Sequence, residues 1–223
     1  MNAWVHLDTG HVPGGGKSLD LMQRGAEFSI VVECKELMNS TRGHSEEALA
    51  SLTCARLTGR SGARVLIGGL GMGFTLRAAL RTLPADARIV VAELVPAVTA
   101  WARGPLADIF RGCLDDPRVT LCEVDVNRLV QSGAEAWDAI LLDVDNGPEG
   151  LMRRANDRLY DAWGLKRAQW ALTQGGILGV WSGTPDRKFK ARLQRMGFAV
   201  EETRMPANGT SGPRHVVWIA TRV

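Results

Sequence analysis

From residue 64 onward, short apolar runs alternate with stretches whose apolar positions recur at helical spacing. Val65-Leu66-Ile67 is a continuous apolar run with β-branched members, as a strand covered on both faces requires, and Phe74 to Leu83 then reads as a helix. Arg88 to Glu93 repeats the strand signal, and Pro96 to Phe110 places Val98, Trp101, Ala102, Leu106 and Phe110 on one helical face. Arg118 to Val124 and Ala139 to Leu142 are further runs, separated by a short crossover helix predicted over Arg128 to Ala136. Leu159 to Leu172 predicts a helix, Gln174-Gly175-Gly176 a turn, Ile177 to Trp181 a strand and Asp186 to Met196 a basic helix. Phe198 to Thr203 and His215 to Ala220 follow as extended runs with no helix between them. Such alternation predicts an α/β fold, a doubly wound and mostly parallel sheet of seven strands with the last antiparallel.

Ahead of this pattern the chain behaves differently. Residues 1–17 show little periodicity, and Gly14-Gly15-Gly16 reads as a flexible connection. Leu19 and Leu21 alternate with polar neighbours, Arg24-Gly25 marks a turn, and Phe28 to Val32 resumes an extended run. The expectation is a small β-hairpin or meander with its linker over residues 1–44, and one larger domain over 45–223. Ser45 to Leu57 predicts a helix capped by Ser45, with Glu46 and Glu47 in its first turn. The polar loop Asn39 to His44 before it serves equally as a wall of an active site or as an ordinary solvated connection.

Composition narrows the class. The 223 residues are 45% hydrophobic and 23% charged, which suits a globular chain and argues against disorder. The net charge of +3 is spread out and forms no basic stripe, so nucleic acid is not an expected partner. Cys34, Cys54, Cys113 and Cys122 have no metal-ligand spacing, so free thiols and no metal are expected. No apolar run approaches a membrane span, and the first residues lack signal-peptide order, so no membrane partner and a cytoplasmic location are expected.

The chemistry concentrates where strands end. Gly69, Gly71 and Gly73 follow the Val65–Ile67 strand, and without Cβ atoms they let the backbone turn sharply and bring its amides against a ligand. Glu93 closes the next strand, where a carboxylate can accept hydrogen bonds from both ribose hydroxyls of a nucleoside. Asp125 and Asp143 close the two after that. Asp143 opens the polar turn Asp143-Val-Asp-Asn-Gly-Pro-Glu149 directly after an apolar run, a position suited to a general base, to orienting a nucleophile or to stabilising a cation.

Taken in order, Val65 to Gly73, Glu93, Asp116-Pro-Arg-Val119 with Asp125, Trp137 to Asp143, Leu159-Tyr160, Leu165-Lys-Arg-Ala168 and Gly175-Gly176 resemble the spermidine synthase family of class I S-adenosylmethionine (AdoMet)-dependent transferases. The resemblance implies the Rossmann-like seven-stranded AdoMet-dependent methyltransferase fold behind a small β-region, a homodimer, and a site for AdoMet or its decarboxylated form. It would set Gly69, Gly71 and Gly73 against the amino-acid or aminopropyl end of that molecule, Glu93 at the ribose, Asp125 at the adenine and Asp143 in the catalytic position. The chain departs from the family where the amine is held. Glu46-Glu47-Ala48 stands where the family has Tyr-Gln/His-Glu, Asn146 replaces the second acid of Asp-Ser-Ser-Asp-Pro, and the single tyrosine, Tyr160, leaves none for the late loop. Methylation of a small-molecule acceptor by intact AdoMet is therefore the first expectation, with Asp143 as base and His44, Glu47, Asp145 and Tyr160 as acceptor contacts. Aminopropyl transfer to an atypical amine is the alternative. A non-catalytic AdoMet-binding module is a third reading, and an NAD-dependent dehydrogenase a more distant one.

Overall fold

The computed structural model describes residues 3–144, 147, 157–207 and 212–223. Two sheets organise them. The smaller is an antiparallel meander of β1 (Val5–His11), β2 (Ser18–Arg24), β3 (Glu27–Val32) and β4 (Lys35–Asn39), paired in chain order. Leu19 and Leu21 of β2, with Ile30 and Val32 of β3, turn inward and are buried, as alternation along a half-covered strand dictates. β1 is the element that the sequence pattern missed. Its side chains are mostly exposed, so no hydrophobic alternation marks it; it is held by its ladder to β2 and by Trp101 Nε1 donating to Asp8 at 2.7 Å.

α1 (His44–Cys54) leads into the larger sheet, whose strand order is β10-β11-β9-β8-β5-β6-β7. In chain order its members are β5 (Arg64–Gly68), β6 (Arg88–Glu93), β7 (Val119–Glu123), β8 (Trp137–Leu142), β9 (Leu172–Ser182), β10 (Phe198–Pro206) and β11 (Arg214–Arg222). β5 to β9 run parallel, and β11 lies antiparallel between β9 and β10. Helices α2 (Phe74–Thr82), α3 (Pro96–Arg103), α4 (Ala107–Phe110), α5 (Val126–Val130), α6 (Asp157–Tyr160), α7 (Ala162–Ala171) and α8 (Arg187–Arg195) make the crossovers. This is the expected seven-stranded, mostly parallel Rossmann-like sheet. Val65 and Ile67 join the core on the α1, α2 and α3 side while Leu66 joins the core under α7 and α8, which is why β5 is apolar throughout.

Several boundaries move for local reasons. The helix expected over Pro96 to Phe110 is two pieces, because Pro105 has no N–H to donate and disfavours helical backbone at Gly104. The crossover helix begins at Val126, ahead of the predicted Arg128, because the Asp125 carboxylate caps it by accepting from the Asn127 N–H. Asp161 likewise starts α7 afresh by accepting from the Gly164 N–H. The Gln174–Gly176 turn is part of β9, which begins at Leu172 opposite Trp137.

β5 is flanked by β6, the next strand in sequence, on one side and by β8 on the other, so the chain reverses its direction of winding there. A crevice opens at the carboxyl ends of strands at such a point.

Candidate active site

The crevice starts from the glycine turn. Gly69, Gly71 and Gly73 take φ of +92°, +51° and +74°, which side chains rarely adopt. Two of them also have no room. A Cβ on Gly69 would lie 2.3 Å from the Asp143 carbonyl oxygen, and one on Gly73 2.7 Å from the Phe110 ring. The turn is pinned by Gly69 N–H donating to Ala92 O and Gly73 N–H donating to Leu70 O, both at 2.9 Å, and α2 begins directly after it.

Around the turn lies a cavity of about 710 Å³, including its open mouth, and Gly69, Gly71, Glu93, Asp125 and Asp143 all border it. Its floor is the strand ends; its roof is Leu19, Leu37 and Met38 from the small sheet and Val12 from the connection after β1. The walls are otherwise apolar, with Val95, Val98, Val124 and Val126 among them. Glu93 is buried, and its two oxygens accept from the Leu70 N–H at 2.9 Å and the Val95 N–H at 2.8 Å. Burial pushes its pKa up while those amides pull it down, and the net direction is upward. The backbone amides of Leu94 and Gly71 also draw on this carboxylate. Asp125 accepts from the backbone and side-chain N–H groups of Asn127, both at 2.9 Å.

Asp143 sits at the end of β8 next to the glycine turn, its own N–H donating to Gly68 O at 2.9 Å. The Thr75 hydroxyl donates to its Oδ2 at 2.6 Å. Burial outweighs that bond and raises Asp143 from 3.8 to about 6. A second carboxylate stands beside it. Glu46 is raised from 4.5 to about 7, by burial first and by the charge on Asp143 second. The Ser45 hydroxyl donates to Glu46 Oε2 at 2.6 Å, and Ser45 Oγ is 2.8 Å from His215 Nδ1 on β11. Sequence reasoning missed Glu46, Ser45, Thr75 and His215 as site residues. A signal for Glu46 was available: it lies three, four and seven residues before Leu49, Ala50 and Thr53, which are the buried stripe of α1.

The remaining expected contacts are not brought to the cavity. His44 opens α1 on the exposed surface. Glu47 points to the other side of the helix, 3.1 Å from Arg81. Tyr160 is buried with its ring edge-on to Phe189 and its hydroxyl 3.4 Å from Val144 O, a core position. Asp145 lies outside the described residues. Among the described residues the cysteines are free thiols, no His, Cys, Asp and Glu cluster is placed to hold a metal, and no helix is long and apolar enough to cross a membrane.

No family model matches the chain. Over 128 residues, 56% of its length, it is 35% identical to the polyamine aminopropyltransferase of Mycobacterium tuberculosis, covering 24% of that protein. Over 124 residues it is 32% identical to polyamine aminopropyltransferase 1 of Pseudomonas aeruginosa, covering 55% of this chain and 41% of the relative. Spermidine synthase from Thermotoga maritima superposes with a TM-score of 0.78 and 18% identity, over 98% of this chain and 73% of that one. The chain is similar to polyamine aminopropyltransferases in sequence and to spermidine synthase in fold. It spans less than half the length of either curated relative, and at this identity the structural likeness speaks for the fold alone. The arrangement has parts that an adenosyl sulfonium fits: a glycine turn held at positive φ, a buried carboxylate at the end of the second strand, and apolar walls between.

Proposed function

We propose that this spermidine synthase-like chain transfers an aminopropyl group from decarboxylated AdoMet to a small amine. The observation that carries the reading is a pair of half-buried acids, Asp143 beside the glycine turn and Glu46 close enough for the charge on Asp143 to raise it. Methyl transfer needs alignment above all and a base only for some acceptors. An amine acceptor is cationic in water and must shed a proton before it attacks, and a carboxylate raised toward neutrality in a dry wall suits that task. The relatives named polyamine aminopropyltransferases support the same choice over the methylation expected from sequence.

The bound molecule would supply an electrophilic carbon on a sulfonium. Glu93 would hold its ribose, Asp125 and the valines its adenine, and the glycine turn its aminopropyl end. Asp143 would orient the acceptor nitrogen and take its proton, with Thr75 fixing the carboxylate. With no tyrosine beside the cavity, the acceptor is held by charge rather than by the phenol groups that the resemblance implies for a diamine clamp.

Incubation of purified protein with decarboxylated AdoMet or AdoMet and a panel of mono- and diamines tests this. Methylthioadenosine appearing only with decarboxylated AdoMet supports aminopropyl transfer, and S-adenosylhomocysteine formed from AdoMet overturns it in favour of methylation.

A further inference from the structure

The sequence pattern predicts Ser45 as the cap of α1, and the structure does not use it so. Gly43 occupies the cap position without a side-chain bond, and the Ser45 hydroxyl, fully buried, is turned instead between Glu46 Oε2 and His215 Nδ1. A hydroxyl has one donor and two acceptor sites, so a hydroxyl between a carboxyl group and an imidazole has two orders of the same bonds. With Glu46 ionised, Ser45 donates to Glu46 and accepts from the imidazole N–H. With Glu46 protonated, Glu46 donates to Ser45 and Ser45 donates to Nδ1. Passing from the second order to the first moves one proton from the carboxyl group to the ring without moving a heavy atom.

The other end of this chain meets the site. Thr75 donates to Asp143 at 2.6 Å and lies 3.2 Å from the Glu46 carbonyl oxygen, tying the start of α1 to the end of β8. We propose that Glu46, Ser45 and His215 form a relay that carries the acceptor's proton away from Asp143. The inference rests on the amine-acceptor reading above. One N–H of the acceptor is replaced by an N–C bond in each turnover, so one proton must leave. It passes to Asp143, then to Glu46, then through Ser45 to Nδ1, and the half-buried ring returns one proton to water. A ligand filling the cavity blocks the direct path from Asp143 to solvent, which is why a side exit has a use.

The charges around the relay favour this direction. Asp143 and Glu47 are the charged groups that raise Glu46, so a proton arriving at Asp143 finds a neighbour able to accept it. Burial lowers the pKa of His215, which keeps the imidazole neutral near neutral pH and able to accept. Its ring is held edge-on to Trp181 with centroids 5.0 Å apart, fixing where Nδ1 points. Ser45 and His215 are positioning residues in this scheme, acting through Glu46.

Ser45→Ala, His215→Phe and His215→Asn separate the relay from a merely structural role, because Asn keeps a hydrogen-bonding atom near Nδ1 and cannot carry a proton onward. With decarboxylated AdoMet and the best amine, kcat should fall about tenfold in all three at little-changed KM, a modest share of what acid–base groups contribute. The wild type should give a curved proton inventory in mixed H2O and D2O, which becomes linear in His215→Asn while its melting temperature stays at the wild-type value. Independently of turnover, carbon-13 carboxyl titration of the unliganded protein, with Glu46→Gln for assignment, should show the Glu46 midpoint rising in Ser45→Ala. A Glu46 midpoint unmoved by Ser45→Ala, or kcat and proton inventory unchanged in the two His215 variants, overturns the relay. Absence of any methylthioadenosine from the wild type overturns the aminopropyl reading instead, and the titration then still decides whether Ser45 and Glu46 are coupled.

Discussion

Asp143→Asn should stabilise the unliganded protein at neutral and alkaline pH while abolishing the proposed transfer. The Asp143 carboxyl is raised from 3.8 to about 6 by burial, so the folded state binds its proton more tightly than the unfolded chain does. A group shifted in this direction contributes stability below its ordinary pKa and loses it as pH rises through the folded value. The separation between 3.8 and about 6 corresponds to about 3 kcal/mol above pH 7. Asparagine removes the charge and keeps an oxygen for the Thr75 hydroxyl, so the bond at 2.6 Å can survive. For a chain of this length 1 kcal/mol moves the melting temperature by about 2–4 °C, so the variant should melt about 6–12 °C above wild type at pH 8. At pH 4 most of that gap should close, because wild-type Asp143 is then largely protonated when folded. Differential scanning calorimetry of both proteins at pH 4, 6 and 8 makes the measurement. A gap that is constant with pH would show that Asp143 titrates at its ordinary value and that its surroundings do not raise it.

Glu93→Ala leaves the Leu70 and Val95 amides without their acceptor, but water entering through the cavity mouth replaces part of it. About 2 kcal/mol of stability should go, read by urea unfolding, together with roughly 100-fold in affinity for an adenosyl ligand, read by calorimetry. Gly69→Ala must displace backbone at Asp143 as well as hold a positive φ, so a loss on the order of 3 kcal/mol or insoluble expression is expected, against little change for Gly16→Ala, which has open space. Asp138→Ala tests structure away from the site. Burial pushes this acid up, yet bonds from the Arg64 N–H, Arg60 and Thr173 hold it below 3.8, so its contribution is present above the ordinary aspartate pKa and lost as pH falls. Its removal should cost about 2 kcal/mol at pH 7, since Arg60 is partly exposed, and should leave ligand affinity within twofold.

The sheet and its ligand edge were legible because parallel strands buried on both faces are written as unbroken apolar runs, and a carboxylate after such a run lands at the strand's carboxyl end. Glu93, Asp125 and Asp143 each stand at or just past the end of such a run. What periodicity does not give is the facing of polar residues. Glu46 and Glu47 are adjacent acids in one helical turn, about 100° apart, and only the packing of α1 on β9 and β11 decides that the first is half-buried beside Asp143 and the second pairs with Arg81. His215 reaches Ser45 across 170 residues of sequence, a closeness made by the antiparallel return of β11. β1 failed for the opposite reason: its outward residues leave no alternation to read.

Met38 lies with its sulfur 3.3 Å from where a side chain on Gly71 would begin, so the small sheet hangs over the glycine turn like an awning. The large sheet by itself would present a shelf, open above, on which an adenosyl group could rest but from which bulk water would never be shut out. Shelter for the chemistry therefore comes from the part of the chain that carries none of the proposed chemistry, and a ligand touching both pieces would act as the rivet between them.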